Sequence, residues 1–336
     1  MIRSLALVVS LLATSCSGGS SGLGTEAGTP PPFRVQESVE WRTEGVRIAA
    51  FNAEFLFDGE GNEGDEVISF PWKGDPAKAR AHRDDIARSI RRVDADVVLL
   101  TEAENLGVLE MMIEESLGDM GYRAFLVDGQ DSFTGQDVGL LSRIPVENVG
   151  RTNERIPVGV GDRTYGVSKN MWARMTIRGV PVTIVGLHFL ARPLDAERAP
   201  RREAQAEVIR RLVEAEMRQG REVVVLGDFN DFEPDALDRA GSRPVTDVLA
   251  TIKRAGPGPE DDLLNVLGEV PQAERFTALY DRNRNDVIEE GELSAIDHIL
   301  LSPGLYGRLR EVVYAHVHDP REVSDHFPLA VSLALE

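Results

Sequence analysis

From Val46 onward, continuous apolar runs alternate with segments in which apolar residues recur at helical spacing. The runs "VRIAAFN", "DADVVLLTE" and "VVVLGDFNDF" are typical of buried strands, whereas Asp75 to Val93 and Asp195 to Arg218 predict amphipathic helices. A further helical pattern begins at Leu106. "MWARMTIRGVPVTIVGLHF" predicts two strands joined by a tight turn at Arg178-Gly179.

The lengths of the connections decide between fold classes. Several strands follow one another too closely for a helical crossover, so a simple doubly wound parallel sheet fits poorly. Strands adjacent in sequence, interspersed with amphipathic helices, favour an α/β (α+β) sandwich built on mixed sheets.

The N-terminal segment has the features of an export signal. Arg3 precedes an apolar run, Leu5–Ala13, that is too short to span a bilayer but fits the core of a signal peptide, predicted over residues 1–15. Cys16 is the only cysteine, so no intrachain disulfide can form. Its surroundings resemble a bacterial lipobox, although Ala13 replaces the usual Leu, and predict a lipid anchor on Cys16. Ordinary cleavage after Ser15 is the alternative.

The composition changes again before the folded part. Residues 17–32 are rich in Gly and Ser and then in Pro, which predicts a flexible, lipid-anchored tether over residues 16–43. Residues 44–336 are predicted to form one catalytic domain. We therefore expect a lipoprotein of the bacterial cell envelope (periplasm, outer membrane or cell surface), held to the membrane through Cys16, or otherwise a secreted protein.

Charge limits the kinds of partner. The 336 residues carry a formal net charge of −19, so the global field does not favour long-range steering of nucleic acid or adhesion to an anionic membrane. Small or metal-bridged phosphate substrates are less affected by this field. No protein partner is predicted.

Polar side chains lie where apolar strands begin or end. They are acids, amides and imidazoles: Asn52, Glu102, His188, Asp228, Asn230, Asp297 and the pair Asp325-His326. Strand ends of a sandwich share a rim, and carboxylates gathered there repel one another unless a cation holds them. A divalent metal with oxygen ligands is the economical explanation.

In this order along residues 46–335, the motifs "AAFN", "LLTE", "GLHF", "GDFN", "IDHIL" and "SDHFP" resemble the endonuclease/exonuclease/phosphatase family. The resemblance implies a four-layer sandwich, with two central mixed β-sheets flanked by helices, and metal-dependent hydrolysis of phosphoesters. It implies that Asn52 and Glu102 hold Mg²⁺, with Mn²⁺ as a substitute, and that Asp325 lies toward the metal.

The same resemblance assigns the reacting groups. Asp228 and Asn230 match the pair that orients the attacking water and holds the phosphate, and His188 matches a histidine that contacts the phosphate. Asp297 and His326 match an acid–imidazole couple in which the imidazole takes the proton of the water.

Four further residues are either alternative site candidates or residues expected to have no role in the site. Glu104 shares a strand face with Glu102 and is an alternative ligand, while Asp137 is a candidate acid for supporting a histidine. His316 and His318 are expected to be ordinary exposed histidines.

A second metal site is predicted in "DRNRNDVIEEGE", residues 281–292. Its spacing resembles the calcium loop of an EF-hand, with candidate ligands at Asp281, Asn283, Asn285, Glu289 and Glu292. Asp286 stands where such loops usually have Gly, and a strand rather than a helix precedes the loop. The loop is thus predicted to be either a structural Ca²⁺ site or a polar hairpin insertion.

The combined prediction is an exported, Mg²⁺-dependent phosphoesterase that cleaves phosphodiesters in the manner of a nuclease or a phospholipase C. A phosphomonoesterase, or a non-catalytic calcium-binding surface module on the same fold, is the alternative. The loops after Phe57 and Phe189 are expected to shape the pocket, but they do not distinguish nucleic acid from a phospholipid head group or a small phosphodiester.

Overall fold

Two six-stranded sheets form the centre of the molecule in the computed structural model, which describes residues 32–62, 64–159, 163–256 and 258–335. The strands are β1 Val46–Leu56, β2 Val97–Ala103, β3 Arg123–Leu126, β4 Asp137–Ser142, β5 Val146–Gly150, β6 Arg155–Pro157, β7 Thr164–Gly166, β8 Lys169–Ile177, β9 Val180–His188, β10 Glu222–Asp228, β11 Leu264–Asn265, β12 Ala278–Leu279, β13 Leu293–Ser294, β14 Asp297–Leu301, β15 Leu309–Tyr314 and β16 Leu329–Leu333. The α-helices are α1 Pro76–Val93, α2 Leu106–Met112, α3 Ala199–Met217, α4 Val248–Lys253 and α5 Pro303–Tyr306.

Both sheets are mixed, as predicted. The first has the order β15-β16-β1-β2-β4-β3 and the second β11-β14-β10-β9-β8-β5. Only the central pairs β1–β2 and β9–β10 are parallel within these two sheets of the described chain. Two small hairpins, β6–β7 and β12–β13, stand apart from them.

The core is divided into layers by the alternation of side chains along each strand. On β10, Val224 and Leu226 face the first sheet and pack in the same buried cluster as Ile48 of β1. Val223 and Val225 point the other way, toward a separate cluster formed with α3 and α4. Helices α1 and α2 cover the outer face of the first sheet in the same manner. The four-layer sandwich is thereby confirmed, and burial on both faces explains the continuous apolar runs.

Residues 33–43 depart from the predicted tether, because they pack on the domain. The Phe33 ring lies 5.3 Å from the rings of Phe276 and Phe327, and Trp41 Nε1 donates a hydrogen bond to the Val93 carbonyl (2.8 Å). Phe33 and Trp41 therefore fix this segment to the domain, although the Gly-, Ser- and Pro-rich residues before it predicted only a linker. The export signal, Cys16 and the rest of the predicted tether up to residue 31 lie outside the described residues.

The expectation that His316 and His318 are exposed is wrong. His316 is 7 % exposed and stacks on Phe276 with ring centroids 3.7 Å apart, and His318 is 3 % exposed. Burial lowers the pKa of His316 to about 3 and that of His318 to about 4. Both rings are therefore neutral packing elements: His318 Nε2 lies 2.9 Å from the His326 carbonyl oxygen, and His316 packs on Phe327.

Helix α3 also differs from its prediction at two points. It begins at Ala199 with Pro200 in its first turn, because residues 195–198 form turns instead. Its arginines are not all on a solvated face, since Arg202 is fully buried. None of the helices in the described ranges is long and apolar enough to cross a bilayer.

Candidate active site

Strand register brings three of the predicted residues side by side at one edge of the second sheet. Asp228, the last residue of β10, is paired with His188 of β9 on one side and with Asp297 of β14 on the other. Gly227 allows this approach, because its φ is 129° and an added Cβ would lie 2.1 Å from the Leu187 carbonyl oxygen.

The first sheet contributes Asn52 and Glu102 to the same place. Asn52 of β1 is paired with Thr101 of β2, and Glu102 follows directly. The Asn52 amide donates hydrogen bonds to Glu102 Oε1 and to Asp228 Oδ2, both at 3.2 Å. One side chain therefore links the edges of the two sheets.

Backbone strain is concentrated at this edge. Glu54, Phe55, Glu102 and Asn230 all have left-handed conformations, with φ between 43° and 64°. A non-glycine residue in this conformation costs on the order of 1 kcal/mol. The pairing of β1 with β2 is irregular between Asn52 and Leu56, which is where Glu54 and Phe55 lie.

Asp297 and His326 form a close acid–imidazole pair. His326 Nδ1 lies 2.7 Å from Asp297 Oδ2, and the Asp297 backbone N–H donates to Thr277 Oγ1 (3.1 Å). Burial alone would lower the pKa of His326, but the charge and hydrogen bond of Asp297 raise this pKa well above its usual range. The other ring nitrogen, Nε2, is 3.9 Å from Asp325 Oδ1.

The pKa of His188 is shifted in the opposite direction to that of His326. Its Nε2 lies 3.5 Å from Asp228 Oδ2 and 3.9 Å from Glu102 Oε1. Burial lowers the pKa of His188 well below its usual value, and the nearby Lys169 and His326 add to this effect. His188 Nδ1 is buried and has no hydrogen-bond partner in the described part of the chain. His188 is therefore a neutral imidazole.

The structure separates the alternatives on β2 and β4. Glu102 lines the cleft, whereas Glu104 accepts a hydrogen bond from the Asp58 backbone N–H (2.9 Å) and is not among the cleft residues. Asp137 supports neither histidine, because its carboxylate lies against Gly129. The neighbouring Gln136 instead enters the site, where it donates to Glu102 Oε2 (2.6 Å).

Sequence analysis missed two parts of the site. Glu54 accepts a hydrogen bond from the Asp325 backbone N–H (3.1 Å), and its position two residues after Asn52 in "FNAEF" was the available signal. Lys169 donates to Gln136 Oε1 (3.2 Å) and lies 3.4 Å from Asp131, which places a buried cation behind Glu102. No local pattern marks that lysine as part of the site.

Negative charge is crowded at the floor of the cleft. Burial, with the charge of Asp297, raises the pKa of Asp228 to about 7. Burial, with the charges of Asp325 and Glu102, raises the pKa of Glu54 to about 8. Carboxylates kept this close favour either protons or a bound cation.

The donor set fits a cation. Within the described ranges, Asp228, Asp297 and His326 form the group of acidic and imidazole side chains whose ligand atoms lie within 4.8 Å of one another. Asp297 Oδ1 is buried and unpartnered there. This group differs from the predicted ligands Asn52, Glu102 and Asp325. Asn52 Oδ1 already accepts the Glu54 N–H (3.1 Å), and the Asp325 side chain is 52 % exposed.

Loops widen the site into a cleft of about 550 Å³. Residues 191–195, from the β9–α3 connection, form one wall, and Tyr280, Arg282 and Glu292 come from the β12–β13 hairpin. Asn230 and Phe232 also line the cleft. As expected, the segment after Phe189 shapes the pocket.

The calcium-loop-like segment connects β12 to β13, so strands flank it on both sides. Asp281 Oδ1 accepts the N–H of Arg284 (2.6 Å), and Glu292 Oε1 accepts that of Arg282 (2.9 Å). Asp286, at the position usually held by Gly, has φ 59°. Asp286 thus has the left-handed conformation that the calcium-loop pattern requires at this position.

Comparisons agree with this geometry. The model of the Endonuclease/Exonuclease/phosphatase family matches residues 49–326. The chain therefore belongs to this family of phosphoester hydrolases. No curated protein matches the chain.

Solved structures share the fold at low identity. An AP endonuclease from Archaeoglobus fulgidus is 17 % identical with a TM-score of 0.55, covering 86 % of this chain and 99 % of that one. A 3′-5′ exonuclease from Neisseria meningitidis is 18 % identical with a TM-score of 0.56 and the same coverage. A Neisseria 3′ phosphatase, bound to a product DNA hairpin, is 17 % identical with a TM-score of 0.55, again covering 86 % and 99 %.

Charge crowding predicts that Asp228→Asn stabilises the metal-free protein. Because the pKa of Asp228 is raised to about 7, the cost of ionising this buried carboxylate lowers the free energy of unfolding. This loss is absent below about pH 4, grows as the pH rises, and is complete above about pH 7. In EDTA at pH 8 we expect a gain of about 2 kcal/mol, or about 5 °C in Tm, after allowing for weakened hydrogen bonds to the carboxylate.

Thermal unfolding at pH 5 and pH 8 measures this effect, and the gain should shrink at pH 5. Asp128→Asn, which neutralises an exposed carboxylate outside the cleft, is the matched control and should leave Tm unchanged. A lower Tm for Asp228→Asn than for the wild type at pH 8 in EDTA would contradict the charge-crowding account.

Proposed function

We propose that this protein is a metal-dependent phosphodiesterase that uses a water molecule activated by His326. The observation that carries the proposal is the 2.7 Å Asp297–His326 pair beside Asp228 at the floor of an open cleft. Its family membership supports phosphoester hydrolysis as the reaction.

His326 is suited to accept a proton at Nε2. Asp297 binds Nδ1, which fixes the tautomer and leaves Nε2 on the cleft side, 3.9 Å from Asp325. The charge of Asp297 stabilises the imidazolium that forms when Nε2 accepts the proton, and a bound cation would lower the raised pKa of His326 toward the range in which the ring is free to do so. Asp228 Oδ1 accepts the Asn230 backbone N–H (2.8 Å), while Oδ2 faces the centre of the site and would orient the water.

His188 and Asn230 would hold the phosphoryl oxygens. The neutral His188 can donate one hydrogen bond without adding charge, and its Nε2 lies close to Asp228 and Glu102. The Asn230 amide is oriented by its 3.3 Å hydrogen bond to the Phe189 carbonyl and by its left-handed backbone. Donors fixed before the substrate arrives favour the developing charge of the transition state.

We propose Mg²⁺, replaceable by Mn²⁺, as the cation, held by Glu102 together with Asn52 and Asp325. Asp228 is a further candidate ligand, because its ligand atom lies within 4.8 Å of those of Asp297 and His326. When bound, the metal would supply positive charge that polarises the phosphoryl group and balances the crowded carboxylates. Oxygen-rich ligands with room for water suit this ion.

The substrate proposed is a phosphodiester, with DNA as the first candidate. The similar 3′-5′ exonuclease and the phosphatase bound to a DNA hairpin support this choice by fold alone. Phospholipid head groups, small phosphodiesters and phosphomonoesters are the alternatives that a parallel assay separates.

Calcium is proposed as a structural ion in the 281–292 loop. The left-handed Asp286, with φ 59°, and the ligand spacing of Asp281 and Glu292 support this proposal. Asn285 Nδ2 also lies 3.3 Å from Glu289 Oε1, which brings two candidate ligands together. Export and a lipid anchor on Cys16 are proposed from the sequence pattern alone.

His326→Gln should lower kcat by about 10²–10⁴-fold, because the proton acceptor is lost while the volume of the side chain is nearly kept. Hydrolysis of bis(p-nitrophenyl) phosphate and single-stranded DNA with Mg²⁺ measures this loss. Sphingomyelin, inositol phosphates and p-nitrophenyl phosphate complete the panel. EDTA should abolish the activity of the wild type, and Mg²⁺ or Mn²⁺ should restore it.

Asp128→Asn is the control and should retain full activity, because the residue is exposed outside the cleft. Full activity of His326→Gln, or a folded wild-type protein inert toward the whole panel with either metal, would refute the proposed reaction.

Calcium should raise the Tm of the wild type, and Glu292→Gln should remove most of this shift. At a concentration about ten times Kd, the expected gain is about 1.4 kcal/mol, or about 3 °C. Asp286→Gly should tighten binding about fivefold, because glycine adopts the left-handed conformation without strain. Calorimetric titration measures both variants.

The matched control is Glu290→Gln, which removes the same charge two residues away at a position outside the ligand spacing. It should leave the calcium response intact. Equal calcium responses of Glu292→Gln and the wild type would remove the loop as a calcium site.

Lipidation predicts that the full-length chain expressed in bacteria incorporates labelled palmitate and fractionates with membranes. Cys16→Ser should lose both properties, because the thioether attachment requires the cysteine sulfur. An unlabelled wild-type protein, in cells that label a known lipoprotein in parallel, would contradict the anchor.

A further inference from the structure

Two exposed arginines lie on the rim of the cleft. Arg192 comes from the β9–α3 connection and Arg282 from the β12–β13 hairpin, and both line the cleft. Both are exposed, and in the described part of the chain neither guanidinium is recorded in a hydrogen bond, ion pair or ring contact. Other arginines, such as Arg174 and Arg210, bind neighbouring glutamates.

Arg192 is held in place by a buried guanidinium. Arg202 is fully buried on α3 and donates to the carbonyls of Arg192 (2.8 Å) and Pro193 (2.6 Å). Its Nε lies 3.7 Å from the buried Asp231. The backbone of Arg192 is left-handed, with φ 73°, so these contacts stabilise a conformation that the residue alone would disfavour.

Arg282 is held by a buried carboxylate. Glu292 is 5 % exposed, and its Oε1 accepts the Arg282 backbone N–H (2.9 Å), while its Oε2 accepts the N–H of Glu289 (3.3 Å). The backbone positions of both rim arginines are therefore fixed by charged side chains that are themselves buried. This arrangement fixes the backbone from which the two side chains extend before any ligand binds.

The same cleft also offers apolar surface. Tyr280 is 69 % exposed and Leu194 is 54 % exposed, and both line the cleft. The floor carries the less exposed Glu102 and Asp228, whereas Asp325 is 52 % exposed and Asp195 is paired with Arg198 (3.4 Å). In a chain with a net charge of −19, the carboxylates of the floor offer a place for a metal, and Arg192 and Arg282 offer a separate place for an anion.

We propose that Arg192 and Arg282 bind a second phosphate group of the substrate, distinct from the phosphate that is cleaved. This inference rests on the proposed function, because it assigns the scissile phosphate to the floor. Guanidinium groups bind phosphate through paired, charge-assisted hydrogen bonds, and the apolar surface of Tyr280 and Leu194 suits the ring or chain that connects two phosphates. The preferred substrates then carry at least two phosphates.

Calorimetric binding tests this specificity without requiring turnover. With Mg²⁺ present, wild-type protein should bind thymidine 3′,5′-bisphosphate about tenfold more tightly than thymidine 3′-phosphate. Arg192→Gln and Arg282→Gln should each reduce this preference to about threefold or less, while the affinity for thymidine 3′-phosphate stays within about twofold. Arg310→Gln, an exposed arginine on β15 outside the cleft, should keep the full preference.

Turnover separates this inference from the proposed reaction. Thymidine 3′-(p-nitrophenyl phosphate) with and without a 5′-phosphate should differ in KM for the wild type and not for the two variants. An equal affinity of the wild type for both nucleotides, or the same preference in both variants, overturns the second-phosphate site even if hydrolysis is normal. A preference that the variants lose, in a protein that hydrolyses nothing, supports the site and refutes the reaction.

Discussion

A carboxylate removed from water must be paired with hydrogen-bond donors or positive charge, and this requirement governs the centre of the molecule. Glu102, Asp228 and Asp297 come from three strands and meet where the edges of two sheets approach each other. The Asn52 amide donates to two of them, and His326 lies against the third. These contacts reduce the repulsion without removing it, since the pKa of Asp228 remains raised to about 7. The residual imbalance is what makes the cleft suitable for a cation.

The sandwich around this centre provides rigidity. Each sheet is buried on both faces, and the parallel pairs β1–β2 and β9–β10 bring their carboxyl ends to the cleft. Left-handed residues such as Glu102 and Asn230 are tolerated because the surrounding strands fix them. The buried His316 and His318 add neutral packing around Phe327 and the backbone of His326. The stability of the packed layers thus allows strained backbone and crowded carboxylates where the two sheets approach each other.

The cleft contains charges of both signs, although the net charge of the chain is −19. Glu102 and Asp228 lie on its floor, and the exposed Arg192 and Arg282 lie on its rim, where Asp195 is paired with Arg198. Each rim arginine depends on a buried partner from another element: Arg202 holds the backbone of the first, and Glu292 that of the second. Local charge in the cleft therefore differs from the net charge of the chain, and a ligand that enters the cleft meets these local fields first.

The sequence by itself determined the layers and the acidic character of the floor, because apolar periodicity reports burial and acids such as Glu102 and Asp228 lie at the ends of their strands. Only the tertiary structure decided which groups meet. It placed Glu54 and Lys169 around Glu102, although both are distant from Glu102 in the chain and no local sequence pattern marks Lys169. It also packed Phe33 on the domain. The physical reason is that periodicity encodes the face on which a side chain lies, whereas contacts between loops and strands far apart in sequence depend on register, backbone strain and charge balance in the folded chain.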